Sequence, residues 1–178
     1  MADDSIEVAP ADRMIAYFSM EIGFDSSIPT YSGGLGILAG DTLKACADLK
    51  VPIVGVTLLS EKGYFTQTFN PQDGSQIESP TTWDKSRLHL LPARVKVSIQ
   101  GRDVQVRAWQ YTLIGSSEYE IPIILLDTNV AENTKEDREI TAFLYGGDQR
   151  YRLMQEVVLG IGGVRMLRAL NYTSLVRY

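Results

Sequence analysis

Tyr31-Ser32-Gly33-Gly34-Leu35-Gly36 opens straight into the apolar-periodic run Ile37 to Leu49, and glycines beside a helix start make a place for an anion. Without a Cβ, a glycine backbone turns sharply and approaches a ligand closely. The first turn of a helix adds free N–H groups and the positive end of the helix dipole. Phosphate is the anion that suits such a cradle, through the backbone N–H groups of Gly33, Gly34, Leu35 and Gly36. The same residues have a structural reading, in which the glycines make a tight turn and let helix and strand pack closely. The spacing does not match the usual nucleotide fingerprints: the turn is not a Gly-x-Gly-x-x-Gly, and no Lys-Ser or Lys-Thr closes it as in a P-loop.

The elements that must position this turn follow from periodicity. Met14 to Met20 reads as a short buried strand, and Leu35, Leu38, Ala39, Thr42, Ala45, Cys46 and Leu49 recur at three and four residues, which predicts a helix with that stripe against a sheet. Ile53 to Leu59, bounded by Pro52 and Ser60, is the next strand. Strand, helix, strand makes a βαβ unit with parallel strands and the glycine turn at the carboxyl end of the first, where open α/β sheets place their ligands. Residues 61 to 91 are expected to be mostly loop with a short strand at Tyr64 to Phe69. Val95 to Ile99 and Val104 to Arg107 alternate about a turn at Gln100 to Asp103, which predicts a hairpin with one wet face, followed by a strand from Ile121 to Leu126.

Thr134-Lys135-Glu136-Asp137 resembles a capping box and predicts a helix to about Leu144, ended by Gly146-Gly147. A last helix, about Gln149 to Leu170, is expected to bury Leu153, Val157, Ile161, Val164 and Leu167. Gly160, Gly162 and Gly163 inside it each cost roughly 1 kcal/mol against alanine, which implies a neighbour lying close. The fold class is therefore α/β, a Rossmann-like doubly wound sheet with an antiparallel β insert. Residues 1–12, polar and acidic, are expected to be a flexible tail before a single domain over 13–178.

Composition bounds the function classes. The 178 residues carry a formal net charge of −5, which gives no electrostatic argument for nucleic acid or an anionic membrane. A phosphate site must then rest on local donors. No apolar run is long enough to span a bilayer and the N-terminus lacks a secretory pattern, so the expected location is the cytoplasm. One cysteine, Cys46, cannot form an internal disulfide, and with a single histidine there is no metal constellation.

Tyr17-Phe18-Ser19-Met20-Glu21-Ile22-Gly23, Pro29 to Gly36, and Leu38-Ala39-Gly40-Asp41-Thr42-Leu43 together resemble the opening of an α-glucan phosphorylase of the short prokaryotic type. Val51 to Leu59, Lys62 to Gln67, Asp73 to Glu78 leading to Trp83, Leu125 to Asn129, and Leu144-Tyr145-Gly146-Gly147-Asp148 through Glu156 agree in order. The resemblance implies the N-terminal lobe of a two-lobed GT-B glycosyltransferase with its active site between the lobes. In that family inorganic phosphate attacks the terminal α-1,4-linked glucose, releasing glucose 1-phosphate with retention, and pyridoxal 5′-phosphate is the cofactor. It also implies α-glucan and phosphate as partners, and a homodimer for the full-length form.

By the same resemblance, Glu21 would lie in the cleft orienting a partner or the sugar, and Tyr64 and Asp148 would face substrate. Each has a plainer reading: an exposed loop carboxylate for Glu21, a core aromatic for Tyr64, a helix cap for Asp148. None of the lysines sits in a cofactor-lysine motif, and no catalytic residue is assigned. The match covers perhaps the first third of such an enzyme, so the chain alone is expected to be inactive. Two alternatives stay open: a nucleotide-sugar glucan synthase lobe, against which Tyr31-Ser32 stands where a Lys-x is usual, and a non-catalytic lobe that binds glucan or a partner subunit.

Overall fold

The computed structural model describes residues 14–62, 65–80, 84–172 and 174–177. Along the chain lie β1 (Met14–Phe18), α1 (Gly34–Asp48), β2 (Ile53–Leu58), β3 (Phe65–Phe69), β4 (Gln76–Pro80), β5 (His89–Ile99), β6 (Arg102–Ile114) and β7 (Glu120–Asp127). They are followed by the single turn α2 (Lys135–Arg138), α3 (Gln149–Val157), a π-helical turn at Val158–Gly162, α4 (Gly163–Ala169) and β8 (Leu175–Arg177). Six strands form one sheet in the order β5-β6-β7-β2-β1-β8, and β3-β4 is a separate hairpin. β1 pairs parallel with both β2 and β8, and β2 pairs parallel with β7. The expected parallel βαβ unit is present, and β5-β6-β7 is its antiparallel flank.

Both faces of the sheet are covered, which is why β2 is buried at every position. Alternate side chains enter two cores. On one face Ile53, Ile121, Ile123 and Leu125 meet Ala39, Leu43 and Ala47 of α1. On the other, Val54, Val56, Leu58, Ile124 and Leu126 meet Met154, Val158, Leu159, Met166 and Leu167. This mixed α/β architecture, with its mostly parallel centre and helices on both faces, is compatible with the Rossmann-like expectation.

The helix faces differ from the periodicity reading. α1 buries Gly36, Ala39, Gly40, Leu43 and Ala47, while Leu35 is 70% and Leu38 62% exposed. The reason is close backbone approach. The Gly23 N–H donates to the Gly36 carbonyl at 2.8 Å, and a Cβ on Gly40 would stand 2.1 Å from the Gly23 oxygen. Beside Gly36 and Gly40 that face has no room for a large side chain, so Leu35 and Leu38 point outward, and Leu43 enters the core one turn further on. Cys46 is half-buried beside this core.

The last helix is likewise rotated: Leu153 is 60% and Ile161 50% exposed, while Met154, Gln155, Val158, Leu159, Gly162, Gly163, Met166 and Leu167 are buried. Those buried pairs repeat every four residues, and an α-helix drifts about 40° per such step. The π turn at Val158–Gly162 absorbs that drift, keeping one face on the sheet across α3 and α4. The close neighbour implied by the glycines is real at Gly163, where a Cβ would lie 2.6 Å from Phe18 Cε1, but Gly160 faces open space.

The helix expected to reach Leu144 stops after Arg138. Thr134 caps it as the sequence suggests, accepting from the Asp137 N–H at 3.2 Å. Beyond that, Asp137 is held by Arg102 Nη2 at 2.8 Å and the Glu139 carbonyl accepts from the Tyr151 hydroxyl. These tertiary ties end the helix. The short strand expected up to Phe69 is present as β3, and it pairs with β4 in a hairpin where the rest of the segment was expected to be loop.

Gly40→Ala drives a methyl into the Gly23 backbone and should destabilise the protein by about 2–3 kcal/mol. Gly160→Ala, in open helical space, should be neutral or stabilise by up to about 1 kcal/mol. Urea unfolding of the two variants beside the parent measures both.

Candidate functional site

Leaving β1, the chain crosses the end of the sheet and returns to α1 as a hydrogen-bonded loop. The Ser19 N–H donates to the Val56 carbonyl at 3.1 Å, and the Thr30 hydroxyl donates to the Ile22 carbonyl at 2.5 Å. Ile22, Phe24 and Ile28 are buried beneath it. A second anchor is Asp25, which accepts from the Ser27 N–H at 2.8 Å and the Tyr111 hydroxyl at 3.1 Å and pairs with Arg87. The loop is thus tied to β6 and to the segment before β5.

Glu21 lies inside this loop and is 3% exposed. Its Oε2 accepts the N–H of Ser32 at 2.8 Å and of Gly33 at 3.2 Å, and its Oε1 accepts the Tyr145 hydroxyl at 3.0 Å. No ion pair reaches it among the described residues. The carboxylate is therefore buried, in contrast to the exposed loop reading, and it holds the start of the glycine turn.

Gly33 is the N-cap of α1, with φ −154, an extended backbone open to any residue. Its N–H is directed at Glu21, so the amides of Gly34, Leu35 and Gly36 are the ones with no acceptor among the described residues. The two readings of the glycines now separate by position. A Cβ on Gly36 would lie 2.4 Å from Tyr31 Cβ and 2.9 Å from Glu21 Oε2, so packing alone demands glycine there. At Gly33 and Gly34 a Cβ would meet nothing within 4 Å. Those two glycines leave a bare backbone beside open space.

Tyr145 lies between α2 and α3 in the left-handed region, with φ 53, and the Arg152 guanidinium covers its ring at 5.3 Å. Burial, then the hydrogen bond to Glu21, raises its pKa above the usual phenol value. Asp148 caps α3, accepting from the Tyr151 N–H at 2.9 Å, and lines an open groove of ≈ 820 Å³ with Lys135, Glu136, Glu139, Tyr151 and Met154. Tyr64, named with Glu21 and Asp148 as a substrate residue, lies outside the described residues. No group of side chains fit to hold a metal ion occurs among the described residues. No described helix is long and apolar enough to cross a membrane. Tyr145 stood in a matched segment without a role, and its partner is 124 residues away, so no local signal could have joined them.

Comparison with known proteins follows the same segments. The family model for carbohydrate phosphorylases matches residues 29–155. A glycogen phosphorylase of Mycobacterium tuberculosis (strain ATCC 25618 / H37Rv) is 42% identical over 170 residues, covering 90% of this chain and 19% of that protein. A maltodextrin phosphorylase of Thermococcus litoralis is 39% identical over 177 residues, covering 93% of this chain and 20% of that protein. The chain thus spans about a fifth of the length of these curated relatives, less than the third expected.

Asp25 gives this loop a pH signature. Burial acts to raise its pKa, but hydrogen bonds from Ser27, Tyr111 and Arg87 outweigh that and bring it to about 2. An unfolded aspartate titrates near ~3.9. The folded value is the lower one, so Asp25 stabilises the protein above about pH 4, and that contribution is lost as pH falls toward about 2. Asp25→Asn should lower stability at neutral pH and flatten the decline across that acid window. Urea midpoints against pH measure it, and parallel curves for parent and variant would contradict the assignment.

Proposed function

This chain belongs to the carbohydrate phosphorylase family, and from that premise we propose that it supplies the N-terminal-lobe half of an α-glucan phosphorylase site of the GT-B kind. The amides of Gly34, Leu35 and Gly36, with the bare backbone of Gly33, cradle a phosphate. The reaction it serves is attack of inorganic phosphate on the terminal α-1,4-linked glucose of a glucan, giving glucose 1-phosphate with retention. Preorganised amides suit this chemistry, because charge shifts between phosphate oxygens and sugar without the donors having to reorganise. The observation that carries the reading is that Gly33 and Gly34 have no packing reason to be glycine, beside helix-start amides that lack an acceptor among the described residues.

Charge limits what this lobe does alone. The chain is acidic, and Glu21 already brings a carboxylate to the same helix end. On this reading a dianion at the turn calls for cationic partners beyond those that the turn itself carries. The same holds for pyridoxal phosphate. Of the six described lysines, Lys62 pairs with Glu139, Lys85 with Glu61 and Lys96 with Asp103, Lys44 and Lys50 lie in and after the later turns of α1, and Lys135 opens α2 at the groove, so none belongs to the glycine turn itself. The residues present do not fit attachment of that cofactor. Asp148 and Tyr64 stand as the candidate glucan contacts, Asp148 from the rim of the groove between α2 and α3.

Titration of the ¹⁵N-labelled chain with inorganic phosphate tests the cradle. Amide shifts are expected to concentrate at Gly34, Leu35 and Gly36. Gly34→Val, whose Cβ would meet nothing within 4 Å, should keep the fold and abolish them. A stronger response of the same amides to UDP-glucose or ADP-glucose would favour a nucleotide-sugar synthase instead.

A further inference from the structure

We propose that Tyr145 is a positioning residue for the phosphate cradle, acting through Glu21, so that the loop between α2 and α3 sets the aim of the amides at the start of α1. The proposal rests on the cradle reading above and adds a residue to it. Glu21 is buried without an ion-pair partner among the described residues, and a buried carboxylate is tolerated only when its lone pairs are satisfied. Two of its donors, Ser32 and Gly33, belong to the turn it holds. The third, the Tyr145 hydroxyl, comes from the other side of the site. Removing it leaves Oε1 without its partner, and the carboxylate must turn toward water or take a donor from the turn.

The tyrosine is itself held in place. Its left-handed backbone costs about 1–2 kcal/mol for a residue with a Cβ, so the surroundings must over-determine it. Gln155 Nε2 donates to the carbonyls of Ile140 at 2.9 Å and Phe143 at 2.7 Å, and the Tyr151 hydroxyl bonds Glu139, fixing the loop to α3. Gly147, with φ +75, has its Cβ direction only 2.9 Å from Tyr151 Cβ, so the loop lies flat against α3. Arg152, from the same helix, covers the ring. A continuous set of contacts thus runs from α3 through Tyr145 and Glu21 to the N-cap of α1.

Amide hydrogen exchange and phosphate titration of the labelled chain test this with Tyr145→Phe, which deletes one oxygen. Ser32 and Gly33 amides should exchange roughly tenfold faster, with the phosphate response weakened by a similar factor, while β2 and β7 keep their protection. Glu21→Ala removes the acceptor of all three bonds and should loosen Ser32 and Gly33 at least as much. The double variant should be no worse than Glu21→Ala alone. Unchanged exchange at Ser32 and Gly33 in Tyr145→Phe would overturn the proposal. So would protection lost alike across β1, β2 and β7, or effects that simply add in the double variant. If the parent shows no phosphate response yet Tyr145→Phe still frees Ser32 and Gly33, the cradle falls and the mechanical link stands.

Discussion

A buried carboxylate, Glu21, that no ion pair reaches among the described residues is the constraint around which this site is organised. Taking such a group out of solvent costs several kcal/mol, offset here by hydrogen bonds from Ser32, Gly33 and Tyr145. Satisfying Glu21 fixes the N-cap of α1, and the direction of α1 fixes which amides remain free. Gly23, Gly36 and Gly40 then follow from geometry, since the loop carrying Glu21 must lie almost on the helix backbone. The same anion that organises the turn opposes a second anion nearby, so a phosphate bound as proposed would be held by the geometry of the amides more than by net charge.

The glycines of this chain do three separate jobs, and only their surroundings tell them apart. Gly36 and Gly40 are crowding sites, where a methyl has no room. Gly147 serves a backbone with positive φ. Gly33 and Gly34 answer to neither need, which is the argument for a ligand. Asp148 shows the opposite outcome, because capping α3 already accounts for its side chain.

Local features were legible in the sequence and distant ones were not. The glycine turn ahead of a helix, the parallel βαβ unit, the Thr134 cap and the β5-β6 hairpin all follow from neighbours a few residues apart. The burial of α1 was misjudged because hydrophobic periodicity weights large side chains, and this helix packs through glycine and alanine. The last helix was misjudged because a buried four-residue repeat needs a π turn, which Leu153 and Ile161 do not announce. α2 was overextended because Arg102 and Tyr151, which end it, lie elsewhere in the chain. Glu21 was picked out by its place after β1, but its burial depends on Tyr145 and could not be read from spacing.

β1 sits between β2 and β8, and its register with β8 joins Met14 to Leu175. During synthesis the first strand therefore gains one neighbour early, while its other edge waits until almost the whole of this segment has left the ribosome. Until then a row of main-chain donors and acceptors is open to any extended peptide. Such late closure makes for slow, non-local folding and a nascent chain prone to mispairing. For this lobe, a chaperone shielding the β1 edge would matter more than one helping α1 to form.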